Sequence, residues 1–247
     1  MAKSGIDWCD YVWNPIVGCS KYSAGCKNCW AETMAKRLRG MGLPQYQSVV
    51  DEKGWTGKIA LVPEALDKPL HWRKPRRVFV GSMTDLFHES LTLGDLTPVW
   101  QSMADAPQHI YQILTKRAKR MMHAVGAMKG YFPVPHLWSG VTVENQQAAD
   151  GRRDDFRNTP AAVKFVSYEP ALEVVDWTGW EFINQIIIGC ESGPRRRPMP
   201  LDIAFETVAW ARENGIAPFV KQLDIDGKVS HNPAEWPEWA RVREYPR

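Results

Sequence analysis

Short apolar runs rich in β-branched and aromatic residues alternate along the chain with stretches of helical periodicity, and this alternation leaves few folds open. Eight such runs read as buried strands, near 11–18, 57–62, 77–82, 110–115, 137–143, 164–169, 184–190 and 217–222. LGDLTPVWQSMADA, KRAKRMMHAVGAM and LDIAFETVAWAREN lie between them and read as helices. Alternating strands and helices imply parallel strands with crossover connections, in an open doubly wound sheet or a closed barrel. Eight units in 247 residues favour the barrel, full or partial, of the (β/α) type. The expected organisation is one domain: a barrel over 1–223, with residues 40–56 as a surface excursion, and an irregular Pro- and Trp-rich cap over 224–247.

Nearly every apolar run ends in polar residues. VFVG is followed by Ser82, Thr84 and Asp85; QIL by Thr115, Lys116 and Arg117; SGV by Thr142, Glu144 and Asn145. KFV precedes Ser167 and Glu169, IIIG precedes Cys190 and Glu191, and PFV precedes Lys221 and Gln222. In a parallel barrel the carboxyl ends of the strands converge on one mouth, where barrel enzymes place their sites. A single cluster of this kind is equally well a helix cap or a strand stop. Recurrence at six strand ends points to a site.

The strongest chemical signal is GCSKYSAGCKNCW, which sets Cys19, Cys26 and Cys29 in C-x6-C-x2-C spacing directly after the first strand. Two cysteines separated by two residues turn both sulfurs toward one metal centre, and a third can join from the loop. Three thiolates hold three irons of a 4Fe-4S cluster and leave the fourth open, whereas a structural zinc site usually takes four protein ligands. Cys9 as a fourth ligand would restore the zinc reading, although it precedes the first strand and so starts at the opposite end of the barrel. WAETMAKRLRG then reads as a helix leaving the loop.

Composition narrows the class but does not choose the chemistry. A net charge of +3 says little about partners, while Lys116, Arg117, Lys119 and Arg120, and Arg195, Arg196 and Arg197, form two basic clusters suited to phosphate or to a solvated surface. Twelve tryptophans serve a core or a base-stacking surface equally well. No apolar run reaches the roughly 18 residues of a membrane span. The first ten residues lack the features of a secretory signal, so a reducing cytoplasm is expected, where five cysteines do not form a disulfide framework. The six histidines carry no metal-ligand spacing, and P-loop, G-x-G-x-x-G and G-x-S-x-G motifs do not occur.

Through WNPIVGCSKYSAGCKNCWAETMAKR, FVGSMTDLFH, QILTKRAKRM, GVTVENQ, SYEPAL, GCESGPRRRPM and PFVKQ, the chain is identified as a member of a phage-associated family of unassigned function with a three-cysteine motif. It also resembles the radical S-adenosylmethionine superfamily, from whose usual C-x3-C-x2-C it departs in the first spacing. Cys190 stands where the family pattern usually has Gly. The resemblance implies a 4Fe-4S cluster on Cys19, Cys26 and Cys29, with S-adenosylmethionine bound to the open iron. One electron would cleave its carbon–sulfur bond, releasing methionine and a 5'-deoxyadenosyl radical that takes hydrogen from the substrate. Ser82, Asp85, Thr142, Glu144, Asn145 and Ser167 are then the expected cofactor contacts, and Glu144, Glu169 and Glu191 the candidate catalytic groups. Lys116, Arg117, Arg195 and Lys221 would face the substrate, with a nucleotide or nucleic-acid base as the leading class and an electron donor protein as partner. Expression in a phage host would place the protein in the host cytoplasm.

Two other readings use the same residues. A barrel hydrolase would employ Asp85, Glu144, Glu169 and Glu191 as acids and bases beside a structural zinc site. A nonenzymatic nucleic-acid binder would use a metal-stapled fold with basic and aromatic contacts.

Overall fold

The computed structural model describes residues 5–128 and 130–246. In chain order the strands are β1 (Tyr11–Trp13), β2 (Ile16–Val17), β3 (Ala60–Leu61), β4 (Arg77–Val80), β5 (Ile110–Thr115), β6 (Leu137–Thr142), β7 (Val163–Tyr168), β8 (Gln185–Gly189), β9 (Ala217–Ile225) and β10 (Lys228–Ser230). The α-helices are α1 (Trp30–Gly40), α2 (Leu93–Asp105), α3 (Ala118–Ala127), α4 (Gln146–Arg157) and α5 (Leu201–Glu213). The fold is mixed α/β around an eight-stranded sheet in the order β1-β4-β5-β6-β7-β8-β9-β10. Every pair from β1 to β9 is parallel, and β10 returns antiparallel on β9. β6 and β8 are buried along their whole length, as strands covered on both faces must be.

Alternation along these strands divides two cores. Val78, Val80, Tyr111, Ile113, Val166, Ile186 and Ile188 face the helices, whereas Phe79, Trp138, Phe165, Ile187 and Phe219 meet on the other face around Trp8. The Trp8 ring lies 4.7 Å from that of Phe79 on β4 and 6.1 Å from that of Phe165 on β7. In a flat sheet these strands would stand roughly 14 Å apart, since neighbours are spaced by about 4.8 Å. One indole reaches both only because the sheet curves strongly around it. Tyr245 spans the same curve, with its ring 5.4 Å from Phe219 on β9 and 3.7 Å from the Arg77 guanidinium on β4. Among the described residues no pairing joins β1 to β10, so the ladder itself is open.

Four expectations from sequence change. The run at 11–18 divides at Asn14-Pro15, because proline cannot donate to a ladder and Asn14 turns its side chain to Ser82 and the Met83 N–H. The run at 57–62 supplies only β3, which pairs antiparallel with β2 in a separate two-stranded sheet and leaves seven parallel strands. Residues 40–56 are not a surface excursion: Tyr46, Val49 and Val50 are buried with Val17, Ala35, Val62, Ala65 and Met83 in a small core of their own. The tail also begins with regular structure, since β9 runs on to Ile225 and turns back as β10 before the irregular segment around buried Trp236. Most of the tryptophans serve the core, which buries Trp8, Trp13, Trp72, Trp100, Trp138, Trp177, Trp180 and Trp236. No helix of the described residues is long and apolar enough to cross a membrane.

Candidate functional site

The cysteine loop crosses the carboxyl ends of the parallel strands between β2 and α1. It starts at Gly18, whose φ of +102° and whose hydrogen, 2.3 Å from the Lys58 carbonyl once replaced by a Cβ, leave no room for another residue. The Gly18 N–H donates to the Met83 carbonyl at 3.0 Å and its own carbonyl accepts from Thr84 Oγ1 at 2.7 Å, which fixes the loop to the segment after β4.

Three further ties reach different strand ends. At the first, Ser20 Oγ accepts from Arg117 Nη2 at 2.8 Å and lies 2.9 Å from His88 Nε2. The Ser90 N–H donates to His88 Nδ1, so Nε2 carries the proton and Ser20 accepts again. Burial, and then the Arg117 charge, hold His88 below its ordinary pKa and keep it neutral. Arg117, 3% exposed, also binds Asp85 at 2.9 Å and Glu89 at 2.8 Å and covers the Tyr22 ring. Asp85 accepts in addition from Thr115 Oγ1 and from the N–H groups of Phe87 and Lys116.

At the second tie, the Gly25 N–H points to Glu144 Oε1 at 3.4 Å. Glu144 is fully buried and takes Arg152 Nη1 on Oε2 at 2.7 Å. Burial alone would raise its pKa, but the Arg152 charge and hydrogen bond overcome this and hold it below the usual carboxylate value. At the third, Asn28 Nδ2 donates to Glu191 Oε2 at 2.9 Å and to the Arg195 carbonyl at 2.8 Å. Arg197 grips both oxygens of Glu191 and, against the burial that would raise it, keeps the Glu191 pKa low.

The three cysteines are half-buried and free of disulfides. Cys29 caps α1, its sulfur accepting the Glu32 N–H at 3.4 Å, and Cys26 accepts the Tyr22 N–H at 3.5 Å. Burial, aided by Asp85 and opposed by Arg117, pushes the Cys19 thiol up to about 12. Cys26 and Cys29 lie near enough to add to that push. Among the described residues no three Cys, His, Asp or Glu side chains are gathered to hold a single metal ion.

Beneath the loop lies a cavity of about 640 Å³, within the range of small-molecule sites. Of the residues expected at the site, Cys29, Ser82, Lys116, Thr142, Ser167, Glu169, Glu191 and Lys221 line it. Lys221 Nζ pairs with Glu169 Oε1 at 2.8 Å, Ser167 Oγ donates to Glu169 Oε2 at 3.2 Å, and Lys116 Nζ reaches Thr142 Oγ1 at 3.4 Å. A register shift between Ile188 and Gly189 aligns Gly189 with Gln222, whose amide donates to the Cys190 carbonyl and to Ser192 Oγ. A Cβ at Gly189 would stand 2.6 Å from Glu169 Oε1. Asp85, Arg117 and Glu144 are not on the cavity wall but among the loop ties, Asn145 accepts the Ala148 N–H as the cap of α4, and Arg195 is exposed outside the rim. Cys190 lines the cavity as a thiol, pushed up to about 11 by burial and by Asp224 and Glu169.

Arg152, Ser20 and Asn28 do work that the sequence did not assign to them, and Arg197, expected in a basic cluster, is committed to Glu191. Arg152 carried a signal, because it falls on the buried stripe of α4 with Ala148, Ala149 and Phe156, where an unpaired arginine would be costly. Asn28 sits inside the cysteine spacing itself.

Residues 3–234 match the family described as "Protein of unknown function (DUF5131)". The chain belongs to that family. No match was found among curated proteins or among solved structures.

Proposed function

We propose that this protein is a radical S-adenosylmethionine-type enzyme that modifies a nucleotide or nucleic-acid base. The observation that carries the reading is a loop with three free thiols, tied to three strand ends and laid over a cavity of about 640 Å³ lined by cations and two carboxylates. The resemblance to radical S-adenosylmethionine proteins and to a phage-associated three-cysteine family supports it, as does the curvature of the sheet, which we read as a partial (β/α) barrel. The donor set fits a 4Fe-4S cluster: a lone zinc ion needs its sulfurs gathered at about 2.3 Å from one atom, whereas a cluster takes one thiolate per iron. Cys19, Cys26 and Cys29 would hold it, and when bound it would supply the single electron that cleaves S-adenosylmethionine.

The chain's own residues do the rest. Lys221 and Lys116 retain N–H groups beyond those given to Glu169 and Thr142, and these suit a carboxylate or phosphate in the cavity. Glu169, oriented by Ser167 and Lys221, is the acid placed to accept from a hydroxyl or amine. Trp8, Val12, Phe79 and Leu114 make an apolar wall that excludes water from a reactive species. Glu144 and Glu191 act as positioning groups, because arginines already occupy them. The setting is cytoplasmic, with an electron donor protein as partner.

The test is iron content in single variants. Cys19→Ala, Cys26→Ala and Cys29→Ala lose the brown absorbance and the iron after anaerobic reconstitution, while Cys9→Ala and Cys190→Ala keep both. Full iron in any of the first three would refute the ligand set.

A further inference from the structure

On the outer side of the cysteine loop lies a groove of about 480 Å³ lined by Lys21, Lys27, Lys36, Lys53, Arg195 and Arg197. Glu32 is the one carboxylate on its wall, and it is engaged by Lys21 at 3.5 Å and by the Trp55 N–H. Arg197 is matched by Glu191. Among the described residues Lys27, Lys36, Lys53 and Arg195 form no ion pair, which leaves four unneutralised cations in one groove of a chain whose total charge is only +3. They come from the cysteine loop, α1, the segment after it and the loop after β8, so the fold adds three lysines distant in sequence to one arginine of the 195–197 basic cluster. A smaller pocket of about 210 Å³ shares Lys27 and Arg195 with the groove and Cys29, Trp30 and Ser192 with the cavity. Asn28 borders all three. Trp30, 51% exposed, stands at that junction, in contrast to the buried majority of tryptophans.

We propose that this groove binds the backbone of a single-stranded nucleic acid and leads one of its nucleotides past Trp30 into the cavity. Spaced cations suit a run of phosphates, and an exposed indole gives a base a face to stack on. A duplex would first have to give up a base from its stack, which a single strand does not require. The inference rests on the proposed function for what happens in the cavity, but binding itself needs no cluster.

The experiment is fluorescence anisotropy of a labelled single-stranded 12-mer and of a hairpin duplex, titrated with the full-length protein between 50 and 300 mM salt. Four phosphate contacts predict a log–log salt slope of about −3 for the single strand. Lys27→Ala/Lys53→Ala/Arg195→Ala, all at exposed positions, brings the slope toward about −1 and weakens binding roughly 100-fold at 0.1 M salt. Trp30→Ala weakens it by about fivefold or more. Lys68→Ala/Lys74→Ala/Lys119→Ala, exposed cations away from the groove, changes binding less than threefold. A flat salt dependence, equal loss in the two triple variants, or a duplex bound as tightly as the single strand would overturn the proposal. Because no iron enters this readout, its failure leaves the cysteine test standing, and the reverse also holds.

Discussion

Replacing Arg152 by Met tests how the loop is held. The substitution keeps the length of the side chain and its place on the buried stripe of α4, but removes the only arginine on a carboxylate with no solvent exposure. Glu144 would keep the 3.4 Å contact from Gly25 N and the smaller help of the Ser23 side chain and the Lys116 charge. Breaking a buried pair by deleting one partner costs about 3–5 kcal/mol. A second route limits the same number: the stranded carboxylate can take a proton, which at pH 7.5 costs about 4 kcal/mol for a group of ordinary pKa about 4.3. For a chain of this size that lowers Tm by roughly 8–16 °C. The pH dependence carries the signature. In the parent protein the folded pKa of Glu144 is depressed, so its stabilisation is present above the ordinary carboxylate pKa and is lost as pH falls through the depressed value. In the variant the folded pKa is raised, so stability falls as pH rises above the ordinary value. The deficit should shrink by about 1.4 kcal/mol per pH unit, to below about 2 kcal/mol at pH 5.5. Urea unfolding at both pH values reads it. A deficit that is small, or the same at both pH values, would refute the pairing as the reason for the burial of Glu144.

Asn28→Ala removes two hydrogen bonds from the half-exposed loop; the expected result is less iron per chain at a Tm changed by only a few degrees, measured by iron assay and thermal melting. Gly189→Ala forces Glu169 away from Lys221, with an overpacking cost of about 1–3 kcal/mol in denaturant unfolding. Arg117→Lys keeps the charge but cannot span Asp85, Glu89 and Ser20 together, so iron retention on dilution should fall even where the fold persists.

Most of the sheet was legible because its strands are covered on both faces: the run Ile186, Ile187, Ile188 has no polar partner to hide its identity. The polar strand ends were legible for the same reason, since each interrupts an apolar run. What sequence could not separate was the role of each group. Glu144, Glu169 and Glu191 look alike as strand-end acids, yet two are occupied by arginines lying eight and six residues further on, and only Glu169 pairs with a cavity lysine. Residues 57–62 carry strand composition, but their partner is β2, a choice set by packing over Val49 and Val50 that periodicity does not encode. The groove was hidden because its lysines are far apart in sequence and meet only when α1 and the segment after it fold against the cysteine loop.

S-adenosylmethionine would need an open iron on the cluster. Protein purified and reconstituted without oxygen should contain about four irons and four sulfides per chain if a 4Fe-4S cluster is bound. Its electron paramagnetic resonance spectrum after reduction should change when S-adenosylmethionine is added. Zinc in place of iron, or a cluster spectrum that is the same with and without S-adenosylmethionine, would contradict the account.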